Sequence, residues 1–454
     1  MRVWMNSRPH IAPLGGDVDR VLDAWGEGGV DGIVVGPLMS PARIALFDPD
    51  PTVYRRLGVT PPPSPSEPQT ESRAEVDRIL EGAKARGWTI IIMSADSGAG
   101  PESAGRARAD PAAAPARVAR MVDAFQHYPM ADGAIVDSLE WGYEIDIRHG
   151  GFRSSPRAPR QYIFHELPES VAPLCAEYGY DYGALVAAKD RLFARLHHLS
   201  PAEIRLHAAD GLAGAFALFG YDTDLLAWFR FRTQTVTDYF RRTRKLLDEA
   251  LPQRVRLGAG VRTAAFAPLT GCDMAQLAGI VDFLCPKHYF WQRGFDGMYG
   301  TVYRYILTLC DWNTGLSEAD ALAVVRALFG LELPGVQGSD DLDSPFPQQF
   351  FDTVVAQETR RALAVVDDPE RVVPWVDAGR KPHDGEPFGA GDLRCVLHAA
   401  REAGLRRFIC VDHANLTAGE WAVISSAAGR PWRPTPAAAP AGTPSYEPPD
   451  ISVL

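Results

Sequence analysis

The sequence lacks several motifs that identify common enzyme classes. No segment matches the phosphate-binding pattern G-x-x-x-x-G-K-[ST] or the serine-hydrolase elbow G-x-S-x-G. Gly258-Ala259-Gly260 is missing the third glycine of a dinucleotide-binding fingerprint, and the adjacent His197 and His198 do not have the spacing that places two imidazoles on one metal ion. We therefore expect no tight metal site, no required cofactor and no serine-hydrolase chemistry.

Cysteines and long apolar runs are also scarce. The 454 residues include six cysteines without a C-x-x-C pair, and Cys285 and Cys410 lie in apolar strand-like runs, where a thiol acts as a small buried side chain. This usage fits a reducing cytoplasm better than a disulfide framework. No span approaches the roughly 20 apolar residues of a membrane helix, and no signal-like stretch follows Met1. We therefore expect a cytoplasmic protein without a membrane partner.

A basic surface for nucleic acid is missing as well. The formal net charge is −11, from 46 Lys and Arg against 57 Asp and Glu. The local cluster of Arg241, Arg242, Arg244 and Lys245 falls in a helical pattern, where charged residues line the solvated face. Because phosphate is repelled by an acidic protein, we expect no nucleic-acid partner.

What the sequence does contain is an alternation of short apolar runs with amphipathic helical patterns. Val18, Val21, Leu22 and Trp25 form one helical stripe, with the spacing i, i+3, i+4, i+7. Most of the short runs are apolar on both faces, as parallel strands covered by helices must be. The runs predicted as strands are 3–6, 32–36, 89–93, 133–137, 255–260, 281–285, 372–376 and 408–412.

Eight such units in succession predict an α/β fold, a (β/α)8 TIM barrel over residues 1–427. A doubly wound open sheet is the rival interpretation. Strands 4 and 5 are far apart in the chain, and the helical patterns between them predict a helix-rich insertion over the barrel mouth, residues 138–250. Residues 428–454 form a Pro- and Ala-rich tail.

Carboxylates are predicted at the C-terminal ends of the strands, the face on which barrel enzymes keep their sites. Strand 4 leads into Asp137 and Glu140, and strand 7 leads into Asp377. A glycosidic bond needs a protonated acid to release the leaving oxygen, and an ionised carboxylate that acts as nucleophile or as base to a water. We therefore interpret Glu140 as the general acid and Asp377 as the second carboxylate, with Asp137 as the rival for either role.

Aromatic and further polar residues complete the predicted site. Trp141 and Tyr143 are expected to shield Glu140 from water, which raises a carboxyl pKa towards the working pH. Rings at the rim also offer flat apolar faces to a sugar. The residues predicted to bind the substrate are Asn6, Asp96, Trp141, Tyr143, Arg262, Lys287, His288, Tyr289, Trp291, Asp412 and His413.

This layout resembles the large group of barrel glycoside hydrolases that place carboxylates at the ends of strands 4 and 7. The resemblance covers residues 1–427 at the level of architecture. Those enzymes usually carry an Asn-Glu pair on strand 4 and a Glu on strand 7, whereas this chain has Asp137, Glu140 and Asp377. The resemblance implies cleavage of a glycosidic bond in a small sugar or oligosaccharide, without a cofactor, and it names no single family.

Other interpretations fit the same residues. Lys287 follows strand 6, where many class I aldolases carry their Schiff-base lysine, so a desolvated Lys287 could attack a carbonyl. A non-catalytic carbohydrate-binding barrel would keep the aromatic rings and have no use for paired acids. Each carboxylate also has a structural interpretation, since a carboxylate at a strand end can accept loop N–H bonds or cap the next helix.

Overall fold

A computed structural model of the 454-residue chain gives its architecture. The structure describes residues 1–9, 14, 17–38, 46–64, 70–95, 110–146, 148, 149, 162–165, 167–290, 297–378, 389–411, 413 and 416–432. Most of the predicted tail therefore lies outside the described residues.

Eight parallel strands close into a barrel in chain order, so the predicted fold class is confirmed and the rival open sheet is wrong. Each strand pairs with its neighbours in the sequence, and the last pairs with the first. This closure brings all eight C-terminal strand ends to one rim. The strands are β1 Arg2–Ser7, β2 Val30–Val35, β3 Thr89–Ala95, β4 Gly133–Asp137, β5 Arg256–Val261, β6 Phe283–His288, β7 Trp375–Asp377 and β8 Arg407–Val411.

The boundaries predicted for strand 6 are displaced towards the C-terminus. The N–H of Val281 still donates to Leu277 O, at 2.9 Å, and so closes the preceding helical turn. The strand therefore begins at Phe283 and includes Lys287 and His288. Because both residues belong to the strand, its two-residue alternation places their side chains on opposite faces.

Side chains alternate between the barrel interior and the layer beneath the helices, with the two-residue period of strands. Large apolar side chains such as Trp4 and Phe283 fill the interior. Glycines on neighbouring strands make room for them, because a Cβ on Gly32 would overlap the ring of Trp4 and a Cβ on Gly258 that of Phe283. The interior is thus a packed core below its C-terminal end.

The surrounding helices often begin at a capping aspartate encoded just before them. Asp17, Asp181 and Asp222 each accept a backbone N–H of the first turn that follows. The helices are α1 Val18–Glu27, α2 Pro51–Arg56, α3 Thr70–Ala85, α4 Ala114–His127, α5 Ala172–Glu177, α6 Tyr182–Leu196, α7 Pro201–His207, α8 Gly211–Leu218, α9 Thr223–Ala250, α10 Ala267–Thr270, α11 Met274–Ala278, α12 Met298–Trp312, α13 Glu318–Phe329, α14 Gln348–Phe350, α15 Ala356–Leu363, α16 Ala390–Glu402 and α17 Ala418–Ala427.

Helices α5 to α9 lie between β4 and β5, in the segment predicted as an insertion. The 28-residue α9 leads into β5 and packs against α4, as a helix of the barrel ring does. Helices α5 to α8 are additional to that ring, and their covering of the barrel mouth stays a prediction. No helix in the described ranges is both long and apolar enough to span a membrane.

Candidate active site

The C-terminal end of the barrel interior carries a layer of polar side chains. Asn6, Asp137, Lys287 and Asp377 continue the inward-facing positions of β1, β4, β6 and β7, and Arg262 does so just beyond β5. Asn6, Arg262 and Asp377 have no exposed surface. Five of the predicted site residues are therefore brought to one end of the barrel.

Asp137 and Lys287 form an ion pair within this layer. Lys287 Nζ lies 3.3 Å from Asp137 Oδ1, and the two side chains are 4% and 16% exposed. Burial by itself would raise the pKa of Asp137, but the positive charges of Lys287 and Arg262 outweigh it and hold the pKa below its ordinary value. The pair therefore favours an ionised Asp137 at neutral pH.

The backbone around Asp137 is adapted to this placement. Ser138 has a φ of +62°, in the left-handed region that residues other than glycine rarely adopt, and its hydroxyl donates to Asp137 Oδ2 at 3.3 Å. On β5, Gly260 leaves the space that the carboxylate fills, because a Cβ there would lie 2.5 Å from Asp137 Oδ1. A turn at Ser138 and a gap at Gly260 thus set the position of Asp137.

Glu140 is held in a second, deeper ion pair. Arg262 Nη2 donates to Glu140 Oε1, and the two side chains are 1% and 0% exposed. Burial opposes the charge of Arg262, but the nearby Glu140, Tyr143 and Asp137 raise its pKa above the ordinary value. The carboxylate of Glu140 is thus bonded to Arg262 within the protein, an arrangement suited to a positioning role. The predicted role of Glu140 as general acid stays a prediction.

Asp377, Tyr289 and Arg8 lie around the same end of the barrel. Burial raises the pKa of Tyr289 well above its ordinary value, the carboxylate of Asp377 raises it further, and the charge of Arg8 opposes both. These influences place Asp377 and Arg8 within electrostatic reach of the Tyr289 hydroxyl. Arg8 Nε donates to Asn6 Oδ1 at 3.2 Å, which joins Arg8 to the polar layer.

Two aromatic residues predicted to contact the substrate are instead packed into the protein. Tyr143 has no exposed surface, and its ring stacks on Phe266 with centroids 5.4 Å apart. Trp141 is half-buried, and its Nε1 donates to Thr235 Oγ1 at 3.0 Å. Both rings attach the segment after β4 to its surroundings, and their predicted contact with the substrate stays a prediction.

One of the two predicted histidines faces away from the interior and the other lies at its edge. His288 ends β6 on the outward side, is 1% exposed, and has its ring 5.3 Å from that of Phe290. Burial lowers the pKa of His288 to about 3, so the ring is neutral and enclosed. The predicted contact of His288 with the substrate stays a prediction. His413 Nδ1 lies 3.2 Å from Asn6 O, and its ring packs 6.0 Å from that of Trp25.

Asp96, Trp291 and Asp412 fall outside the described residues, so their predicted roles stay predictions. In the part of the chain that is described, no three His, Cys, Asp or Glu side chains come together as ligands for a metal ion.

Sequence reasoning missed four charged residues: Arg8, Glu144, Arg232 and Arg304. Arg8 stands two residues beyond Asn6, and that spacing on an extended segment could have placed both on one face. Arg304 and Glu144 form an ion pair in which neither side chain is exposed, and they are 160 residues apart in the chain. No local pattern marks a pair so distant in sequence.

Comparisons with known proteins identify no family, because no family model and no curated protein matches the chain. Among solved structures, the chain is similar to the glycoside hydrolase domain of PgaB (BpsB) from Bordetella bronchiseptica, with 11% identity, coverage of 93% of this chain and 98% of that chain, and a TM-score of 0.46. A chitinase from Chromobacterium violaceum ATCC 12472 has 10% identity, with coverage of 94% of this chain and 98% of that chain, and a TM-score of 0.41. A GH18 chitinase from Pseudoalteromonas aurantia has 11% identity, with coverage of 95% of this chain and 100% of that chain, and a TM-score of 0.40. Glycoside hydrolases are thus among the solved structures that this chain resembles, and the likeness is one of fold alone.

Proposed function

We propose that this protein is a glycoside hydrolase-like enzyme that cleaves a glycosidic bond with Asp137 and Asp377. The observation that carries the proposal is that both carboxylates occupy inward-facing positions at the C-terminal ends of β4 and β7. These strands are three places apart in a ring of eight, so their ends lie on opposite sides of the barrel mouth. Paired carboxylates on either side of a bond are what glycoside hydrolysis requires.

The proposal includes a substrate class and a location. The substrate is a small sugar or oligosaccharide, and its hydrolysis by two carboxylates requires no cofactor. The six cysteines are free, which agrees with a reducing cytoplasm.

In this mechanism Asp137 acts in its ionised form. Lys287, 3.3 Å away, favours the charged carboxylate, which attacks the anomeric carbon or takes a proton from the attacking water. The leaving oxygen then needs a proton from a different group. Asp377 is the second carboxyl on the interior face and supplies that proton, while Tyr289 and Asn6 bind hydroxyl groups of the sugar.

The carboxylate pair is tested by leaving-group dependence. Asp137→Asn should abolish turnover of all glycosides, because no nucleophile or base remains. Asp377→Asn should be most harmful for alkyl glycosides, whose leaving oxygen needs the proton, and least harmful for nitrophenyl glycosides. We expect losses of about a thousandfold, or about 4 kcal/mol of barrier at about 1.36 kcal/mol per tenfold change. The measurement is steady-state kcat on a panel of both glycoside types.

Asp282→Asn is the matched control, because Asp282 lies near the N-terminal end of the barrel and accepts the N–H of Leu257 at 2.7 Å. It should lower stability and leave turnover unchanged. Near-native turnover of both site variants would contradict the proposal. Borohydride trapping of a keto substrate on Lys287, whose pKa is lowered by burial, would instead favour the aldolase alternative.

A further inference from the structure

Residues 140–144, which follow Asp137 and Ser138, are each bonded to another element of the protein. We call this segment and its partners the 140–144 clamp. Its bonds run from Arg262 to the Glu140 carboxylate, from Trp141 N–H to Thr270 O at 3.0 Å, from Arg232 to Gly142 O, from the Tyr305 hydroxyl to Tyr143 O, and from Arg304 to the Glu144 carboxylate.

Three of these anchors are fully buried arginines. Arg232 is 1% exposed, and Arg262 and Arg304 have no exposed surface. Enclosing a guanidinium is costly unless its charge and its N–H groups are compensated. Arg262 and Arg304 are compensated by carboxylates on the segment that they hold. Each of these two ion pairs ties the segment to one position, because loss of either partner would leave a buried charge uncompensated.

Arg232 is the least compensated of the three. Among the described residues it has no carboxylate partner, and its Nε and Nη1 donate to no acceptor either. Its guanidinium carbon lies 5.0 Å from the Trp228 ring centroid and 5.7 Å from that of Trp141, so aromatic faces balance part of the charge. Burial lowers the pKa of Arg232 to about 9, which leaves it protonated at neutral pH. The hydrogen bond from Arg232 to Gly142 O therefore forms at a high desolvation cost for the guanidinium.

The clamp begins three residues after Asp137, with Ser138 in the strained left-handed conformation between them. A strained backbone persists only where the surrounding structure over-determines it. If the clamp were loosened, Ser138 could relax to an ordinary conformation and the Asp137 carboxylate would turn with it.

We propose that Arg232, Arg262 and Arg304 are positioning residues that hold residues 140–144 in place and thereby direct the Asp137 carboxylate into the barrel interior. The proposal rests on the proposed function in one respect, namely that Asp137 is the reacting carboxylate. Arg232 and Arg304 act through the backbone and do not contact the substrate, whereas Arg262 also acts on Asp137 directly through its charge. Removal of Arg232 or Arg304 should therefore affect the chemical step and leave substrate affinity nearly unchanged.

The test removes an anchor without leaving an unpaired buried carboxylate. The variants are Arg232→Met and the double variant Arg304→Met/Glu144→Gln. Arg117→Met is the matched control, because Arg117 is also 1% exposed and its Nε donates to the Tyr239 hydroxyl at 2.9 Å, outside the clamp. Arg232→Lys keeps the charge and a donor, and it tests for partial rescue.

The first readout is amide hydrogen exchange in peptides that cover residues 133–146. Both clamp variants should exchange about tenfold faster there than the wild type, because local opening becomes easier. Arg117→Met should leave this segment unchanged even where its melting temperature falls equally. The second readout is kinetics on a glycoside that the wild type cleaves, where kcat should fall about tenfold or more with KM within about twofold.

Unchanged exchange in both clamp variants would overturn the proposal, as would an equal increase in Arg117→Met. A rise in KM at constant kcat would also overturn it, since that pattern reports a binding role. If the wild type cleaves no glycoside, the proposed function has failed, and the exchange experiment still decides whether these arginines hold the segment.

Discussion

At the scale of single residues, Lys287 and His288 are neighbours at the end of β6 with opposite surroundings. Lys287 faces the interior beside Asp137, whereas His288 faces outwards against Phe290. Neither ring nitrogen of His288 has a hydrogen-bond partner among the described residues. Burial of an imidazole without hydrogen-bond partners destabilises the folded state much more when the ring is charged than when it is neutral. The free-energy cost of burying His288 therefore depends on pH.

His288→Phe should remove an acid-dependent loss of stability. The unfolded chain binds a proton at this histidine below about pH 6.5, whereas the folded chain does so only below about 3. Between these values the unfolded state holds more protons, so wild-type stability falls as the pH is lowered from 6.5 to 3. At pH 5 the difference amounts to about 2 kcal/mol. The measurement is denaturant unfolding of both proteins at pH 7 and pH 5.

The exposed His165 provides the control, because His165→Gln should show the same difference between the two pH values as the wild type. A His288→Phe protein that loses as much stability at pH 5 as the wild type would show that His288 is protonated in the folded state.

At the scale of one element, β5 presents glycines to the interior at two successive inward positions. Gly258 lies beneath the ring of Phe283, and Gly260 lies beneath the carboxylate of Asp137. The same strand therefore makes room for the apolar core at one level and for the polar layer at the next. A side chain at either position would displace its neighbour, with different consequences for activity.

Gly260→Ala should reduce turnover, whereas Gly258→Ala should reduce stability alone. The new methyl group at 260 would lie 2.5 Å from Asp137 Oδ1 and would push the carboxylate from its place beside Lys287. Overpacking costs about 1–3 kcal/mol of folding stability in either case. The measurement is melting temperature together with kcat on an active glycoside. Equal loss of kcat in both variants at matched stability would argue against the specific effect on Asp137.

At the scale of the whole molecule, packing leaves all six cysteines free and four of them buried. Burial raises the pKa of Cys175 to about 11 and that of Cys272 to about 12. Because the thiolate is the reactive form, such thiols react slowly while the fold is intact. Cys310 and Cys395 are only half-buried and are the first candidates for reaction.

A thiol reagent should therefore distinguish the native from the unfolded protein. After unfolding without reductant it should label six thiols per chain, the number of free cysteines. In the native protein Cys310 and Cys395 should react first, because they are only half-buried whereas the other four cysteines are buried. Mass spectrometry of labelled peptides gives the order, and Cys395→Ser should remove one of the fast sites. Fewer than six labels after unfolding would indicate a disulfide and contradict the structure.

The sequence by itself determined the barrel, because the information lies in local periodicity. Runs such as Ile90, Ile91 and Ile92 can only be buried on both faces, and amphipathic stripes such as that of Val18, Leu22 and Trp25 can only cover them. Eight repeats in order leave little freedom of topology. The polar residues that end the strands could be placed at one rim for the same reason.

Only the tertiary structure decided which charges meet. The sequence gives no sign that Glu140 pairs with Arg262, 122 residues away, or that Asp137 pairs with Lys287. The left-handed turn at Ser138 separates the two acids, so that Asp137 faces the barrel interior and Glu140 is enclosed with a buried arginine. The sequence cannot separate their surroundings, because the cations that pair with them, Arg262 and Lys287, follow or belong to other strands.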